Sequence, residues 1–226
     1  MQILFSEIYA KSIGLFDDPK ITKAYKENQI QFNKLMYTFL QNSISLFNNP
    51  ISIAKALSNY TEPLGQMEVF VSDGTNTTFQ IDPEFNLSQD SIYEYIANGN
   101  IVSGKIDFVA RTVTFPSAIP QNTEFSVQGY YPGAFNITAN SISQTSGLAN
   151  LIRNQIKDIL ARLLIKSWGE EKRNFLVDIQ NILNDTEFKV HPASNALKAK
   201  DAWVAQLDKE ILQYQNKLSW NLRITG

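Results

Sequence analysis

One histidine and no cysteine bound the chemistry of this chain before any fold is considered. Without thiols there are no disulfides, thiolate metal sites, iron–sulfur clusters or cysteine nucleophiles. His191 alone cannot make a multi-histidine zinc site, and a Ser-His-Asp hydrolase would have to run entirely through it. The carboxylates Glu68, Asp73, Asp82, Glu84 and Asp90 are close enough in sequence to suggest a glycosidase pair. Nothing singles out two of them, and no apolar surroundings mark one for a raised pKa, so they read as acidic loops. Residues 99–105 match the first seven positions of a phosphate-binding loop, with Gly99, Gly104 and Lys105 in place. Ile106 then stands where Ser or Thr should ligate magnesium, and an alternating strand follows instead of a helix. That run reads as a glycine-flanked loop between strands. Trp168, Trp203 and Trp220 fall in or at the end of helical stretches, where core packing or a subunit interface is their expected role. Five glycosylation sequons, at Asn59, Asn76, Asn86, Asn136 and Asn184, are chance matches among 21 asparagines. No catalytic, cofactor-binding or metal-ligating set is predicted, and the chain is read as not an enzyme.

Whatever positions such residues must be built from 226 residues, 43% of them hydrophobic. A chain of this size removes about 70% of its unfolded surface from water, so it folds without a disulfide or metal staple. The formal charge of −2 provides no polybasic field for nucleic acid. The N-terminal stretch has no basic segment ahead of an apolar core, so no signal peptide is read. No run approaches the ~18 apolar residues of a membrane span. A soluble protein made in a cytoplasm is expected.

The period of the apolar residues changes twice, dividing the chain into helix, strand and helix. Asp18 and Pro19 form an N-cap signal for a helix running to about Asn48, with Tyr25, Phe32, Phe39 and Leu46 seven apart. Asn49 and Pro50 repeat the signal for a short helix carrying Ile51, Ile53, Ala54 and Leu57. From about Gly65 to Asn140, turn residues separate short alternating runs. Met67, Val69 and Val71 alternate with Glu68, Phe70 and Ser72 and mark a buried face; Asp73 and Gly74 supply the turn of a hairpin into Thr77, Phe79 and Ile81. Ile106, Phe108, Val113 and Phe115 bracket a second hairpin, and Phe125, Val127 and Tyr131 share one face of a strand ended by Pro132 and Gly133. Residues 91–97 fit either a helical turn or a strand. After a cap candidate at Thr145 and Ser146 the helical period returns, with Leu148, Leu151, Ile152, Ile156, Ile159, Leu160, Leu163 and Leu164 on one broad face. A further helical stretch groups Phe175, Leu176, Ile179, Ile182 and Leu183, and Ser194 caps the last helix. There Leu197, Val204, Ile211 and Leu218 recur every seven residues, a helix seam that serves either an antiparallel neighbour in the same subunit or a second chain.

The fold class expected is α+β: a helical bundle formed by residues 1–64 and 141–226, with a small antiparallel β-sandwich inserted at residues 65–140. Charge follows the division. Residues 66–140 hold two basic and eight acidic residues, a net −6, and the flanking parts hold eighteen basic and fourteen acidic, a net +4.

Two stretches carry a family resemblance. The β part, with Asp73-Gly74-Thr75 leading into Thr77-Thr78-Phe79, then Gly104-Lys105-Ile106-Asp107-Phe108, Thr112-Val113-Thr114-Phe115, Ala118-Ile119-Pro120 and Phe125 to Tyr131, resembles a small β module of tailed-bacteriophage structural proteins. The C-terminal part, from Trp168-Gly169-Glu170-Glu171 through Asn184-Asp185-Thr186-Glu187-Phe188 and Ala196-Leu197-Lys198 to Ser219-Trp220-Asn221-Leu222, is similar to phage neck proteins, the head-to-tail connector or adaptor rings beneath the portal. The resemblance implies a virion protein without cofactor, located at the portal vertex in a homo-oligomeric ring of about twelve copies. It implies contact with the portal protein and other neck or tail proteins, passive contact with genomic DNA in the channel, and no membrane. Such adaptors often dock by a C-terminal segment. Here Trp220, Leu222 and Ile224 alternate beyond the last helix as an extended docking segment would, with Arg223 placed to pair with a portal carboxylate. A competing reading makes the chain a tail or baseplate component whose acidic β part binds a host glycan through Tyr93, Tyr95, Tyr130 and Tyr131.

Overall fold

The structure, a computed structural model, describes residues 1–16, 18–137, 146–185 and 191–224, the side chains of 146–148, 175–185, 191–194 and 224 excepted. It is mixed helix and small antiparallel sheets, an α+β chain. In order along the first part come β1 (Gln2–Leu4), α1 (Phe5–Ser12), a 3-10 turn (Ile13–Leu15), α2 (Pro19–Glu27), α3 (Gln29–Ile44) and α4 (Ile51–Ala56). The strands β2 (Tyr60–Thr61), β3 (Leu64–Val71), β4 (Thr78–Gln80), β5 (Ile92–Ala97), β6 (Asn100–Val102), β7 (Lys105–Asp107), β8 (Thr112–Thr114), β9 (Glu124–Tyr131) and β10 (Ala134–Asn136) follow. Two long helices close the described chain, α5 (Ser146–Asp185) and α6 (His191–Ile224).

The expected helix over residues 18–48 starts as its cap signal says, with the Asp18 carboxylate accepting the Lys20 N–H at 2.9 Å. It then breaks in two. Asn28 leaves the helical region at φ −146° and ψ 80°, and its side-chain oxygen accepts the Gln31 N–H at 3.0 Å, starting α3 afresh. Phe32, Met36, Phe39 and Leu40 bury one stripe of α3 against α5 and α1. α5 is central: Ile152, Ile156, Ile159, Leu160, Leu163 and Leu164 are buried in a large core that also takes Ile3, Phe5 and Ile8. Where two helices are expected after Thr145, one continuous helix runs to Asp185; Thr145 and the side chains of Phe175, Leu176, Ile179, Ile182 and Leu183 lie outside the described residues. α6 begins at His191, with Pro192 in its first turn, so Ser194 is inside the helix and not at its cap.

The described residues form three antiparallel sheets: β1-β10-β2, β3-β9-β5-β6 and β4-β8-β7. The ambiguous run at 91–97 is strand β5, and the hairpin around Ile106 and Val113 is β7 with β8. Asp73 and Gly74 do form a turn, but β3 pairs β9 and β4 pairs β8, so that turn passes the chain from one sheet to another instead of closing a hairpin. Side chains from the second and third sheets meet in a second core around Ile81, Ile106, Val113, Phe115, Phe125 and Val127. β10 belongs to the first core, where Phe135 and Ile137 are buried.

The face of β3 is opposite to the expected one. Phe70 turns inward and stacks on Phe125 at 5.1 Å, Ser72 donates to the Ile119 carbonyl at 2.7 Å, and Glu68 accepts the Asp82 N–H at 3.0 Å. Met67, Val69 and Val71 therefore stand outside, 61%, 48% and 67% exposed. A phenylalanine fits a ring cluster better than three aliphatic side chains do, and a one-residue register flip carries the whole strand with it.

Candidate functional site

The C-terminal docking set is helical. α6 continues to Ile224, so Trp220, Leu222, Arg223 and Ile224 do not form the extended segment expected of them. The helix persists because Leu218 is fully buried and Leu222 packs on the same core one turn later, so the apolar stripe holds the last turns down. Trp220 is 63% exposed and Arg223 is exposed; the Ile224 side chain lies outside the described residues. At about 100° per residue, Trp220 and Leu222 leave the helix on nearly opposite sides, so they cannot enter one partner groove together.

The seam of α6 is occupied by its own chain. Ile211 and Leu218 are buried in the core with Leu207, whereas Leu197 and Val204 are half-buried. α5 and α6 run antiparallel, as their charge pairs show: Arg162 to Glu210 at 3.2 Å, Lys166 to Asp208 at 2.7 Å, and Arg173 to Asp201. The Arg162 guanidinium also lies 4.0 Å over the Tyr214 ring and donates to its hydroxyl. Trp168 is buried, edge-on to both Phe16 and Trp203.

Three of the five candidate carboxylates, Glu68, Asp73 and Asp82, accept local backbone N–H groups, and Glu84 and Asp90 are exposed. The Asp73 carboxylate accepts the Thr75 and Asn76 N–H groups at 2.8 Å each, which holds it below the usual carboxylate range. Asp82 accepts from Glu84 N–H at 2.7 Å. Glu68 is pushed up, chiefly by desolvation, with the Asp82 charge adding and the Asp82 N–H and Arg111 opposing. Arg111 donates from one nitrogen to the carbonyls of Asp82, Pro83 and Phe85, tying down that acidic loop. In the phosphate-loop-like run, Gly104 makes room for the Tyr95 ring, which a Cβ would approach to 2.9 Å, and Lys105 opens a strand. His191 begins α6, its side chain outside the described residues. Among the described residues no group of three or more His, Asp or Glu is placed to hold a metal, and no helix is long and apolar enough to cross a membrane.

The four tyrosines of the glycan reading are not gathered on one open surface. Tyr93 and Tyr95 pack on the second core, and the Tyr93 hydroxyl is held by the Ser88 backbone. Tyr130 is buried on the other side of the sheet under Lys34, and desolvation pushes its hydroxyl up to about 12. Tyr131 is half-buried beside Gln2.

What the arrangement leaves available is apolar surface. On the outer face of the four-stranded sheet, Val69, Ser126, Ile96 and Ile101 lie in one row across all four strands, with Ile101 54% exposed. α3 covers only one end of this face, where Glu94 accepts the Ile30 N–H at 3.0 Å and Lys34 overlies Tyr130. The alternation that placed Met67, Val69 and Val71 inside was the right signal read onto the wrong side. Comparison with protein-family models, curated proteins and solved structures finds no match.

Proposed function

We propose that this chain is a structural subunit of the neck of a tailed-phage virion, one of about twelve copies in a ring that joins portal to tail and surrounds the DNA exit channel. In this reading the helices and the sheet β1-β10-β2 form one body, and the strands from β3 to β9 are a small sandwich inserted in it, so the expected boundary at 140 moves back to about Tyr131. The ring conducts DNA passively and carries no catalytic or cofactor site.

The observation that carries the proposal is the row of exposed aliphatic side chains Met67, Val69 and Val71 on the outer face of the four-stranded sheet, beside the polar Glu124, Ser126 and Gln128 of β9, a mixed surface of the kind that contacts a partner. The resemblance of the β and C-terminal stretches to phage neck proteins supplies the setting. The carboxylates support it as well, since those of Asp73 and Asp82 are bound to their own turns and that of Glu68 to the neighbouring loop. Docking to the portal runs through a helical α6 end bearing Trp220 and Arg223, not through an added strand.

Gold-labelled antibody against the chain, applied to intact and osmotically emptied particles from its source and viewed by negative-stain electron microscopy, tests the proposal. Label at the single vertex between head and tail is expected. Label on fibres would favour a host-binding role, and absence of label from both preparations would refute a virion role.

A further inference from the structure

β3 is an edge strand of the four-stranded sheet, and its outward side chains are Met67, Val69 and Val71. The open edge of β3 is covered in part by the loop 82–86 through Glu68 and Gln66, and the uncovered feature is the row of aliphatic side chains on its outer face, the chemistry of a contact surface. None of the three outward positions is charged. A second uncovered surface lies on the helical part. Leu46 and Leu212, both exposed, flank a pocket of about 260 Å³ between the end of α3 and α6, with Leu163 and Lys166 of α5 in its lining and Lys166 paired there with Asp208. Gln215 lines that pocket; it is buried, and its Nε2 has no acceptor. A buried amide donor left unpaired costs free energy until something supplies an oxygen. Lys209, Lys217 and Arg223 are exposed on the same helix.

We infer that these two surfaces belong to one interface between copies: the outer face of the sheet, centred on Val69, docks on the α3–α6 pocket of a second copy. Charge decides the partner. Two sheet faces brought together would oppose the exposed Glu124 of each copy, whereas the helix beside the pocket carries exposed Lys209, Lys217 and Arg223, and the Asp208 lining the pocket is already paired with Lys166. Met67 and Val69 supply the apolar centre, and Glu124 beside Val71 supplies an acceptor at the rim. The contact is heterologous, and repetition of a heterologous contact closes a ring or extends a filament.

This inference rests on the assembly reading above, but its test does not use particles. The chain has no cysteine, so introduced thiols report without background. Val69→Cys is paired in one chain with Leu212→Cys or Leu46→Cys, and the purified full-length protein is oxidised at high concentration. A ladder of disulfide-linked species beyond the dimer is expected from a paired variant and from no single variant. Adding Val71→Asp to the paired variant should cut the ladder about tenfold with unchanged circular dichroism, because it replaces an exposed aliphatic contact with a second carboxylate beside Glu124. Efficient dimer from Val69→Cys alone would establish a face-to-face contact and overturn the inference, as would monomer in every variant. A ladder without neck label on particles would leave this interface standing and remove the neck.

Discussion

Gly133 shows how closely one position can be determined. It follows Pro132 where the chain leaves β9, at φ +85°, and its carbonyl accepts the Phe5 N–H at 2.9 Å. A Cβ there would come within 2.7 Å of the fully buried Phe5 ring and 2.8 Å of the Thr61 carbonyl oxygen. Gly133→Ala combines a left-handed backbone, costing roughly 1–2 kcal/mol, with crowding of about 1–3 kcal/mol. At about 2–4 °C per kcal/mol for a chain of this size, the thermal midpoint followed by circular dichroism should fall on the order of 10 °C. Gly99→Ala is the control, since Gly99 has φ +74° but nothing within 4 Å of its Cβ position. It should lose only the backbone share, and an equal loss in both would mean that the contact with Phe5 is relieved by movement. The Pro132-Gly133 strand end was legible in the sequence; the ring it accommodates, 128 positions away, was not.

At the scale of elements, what could be read locally was read well. Caps such as Asp18, the change of period near Gly65 and the β7–β8 hairpin depend on neighbours within a few residues. What failed depends on distant partners. The strand β1 is invisible in its own three residues because its identity comes from pairing with β10. The face of β3 was misread because alternation gives a period but no sign, and the sign came from Phe79 and Phe125, which cluster around Phe70. The expected extended C-terminus failed for the same reason: alternation at Trp220, Leu222 and Ile224 also fits a helix whose inner side continues through Leu218 and Leu222. The joint between sheet and helix was equally hidden, for Glu94 sits on β5 yet takes the Ile30 N–H at the start of α3. A carboxylate there satisfies an otherwise orphaned donor and favours the helix dipole. Glu94→Ala should lower stability by about 1–2 kcal/mol, seen as a lower urea midpoint at unchanged slope. Glu94→Gln, which keeps an acceptor without the charge, should recover about half of that. Equal losses in the two variants would mean that the charge, and not the hydrogen bond, carries the joint.

For the whole molecule, the two hydrophobic cores raise the question of whether the chain folds as one unit or two. The second core draws on a continuous stretch from Phe70 to Val127. That stretch leaves and re-enters through one paired position, Leu64 opposite Tyr131, with Pro63 just before and Pro132 just after. Chain ends that lie side by side are what an autonomous insert requires, because excision then breaks little besides the crossing itself. Against this, the outer face of its sheet loses the cover of Ile30 and Lys34, and about 70 residues bury only about 60% of their unfolded surface. The balance favours a fragment that folds, with little margin. A fragment of residues 63–132 should give a strand-rich circular dichroism spectrum and a cooperative melt, at a lower midpoint than the full chain. Val127→Asp, which puts a carboxylate at a position with no exposed surface, should abolish that transition. A fragment without any cooperative melt would mean that Glu94 and Tyr130 bind the sheet to α3 tightly enough for the two cores to fold only together. The chain would then move as a single body, whereas a fragment that folds would allow the β part to tilt on its two proline-flanked strands.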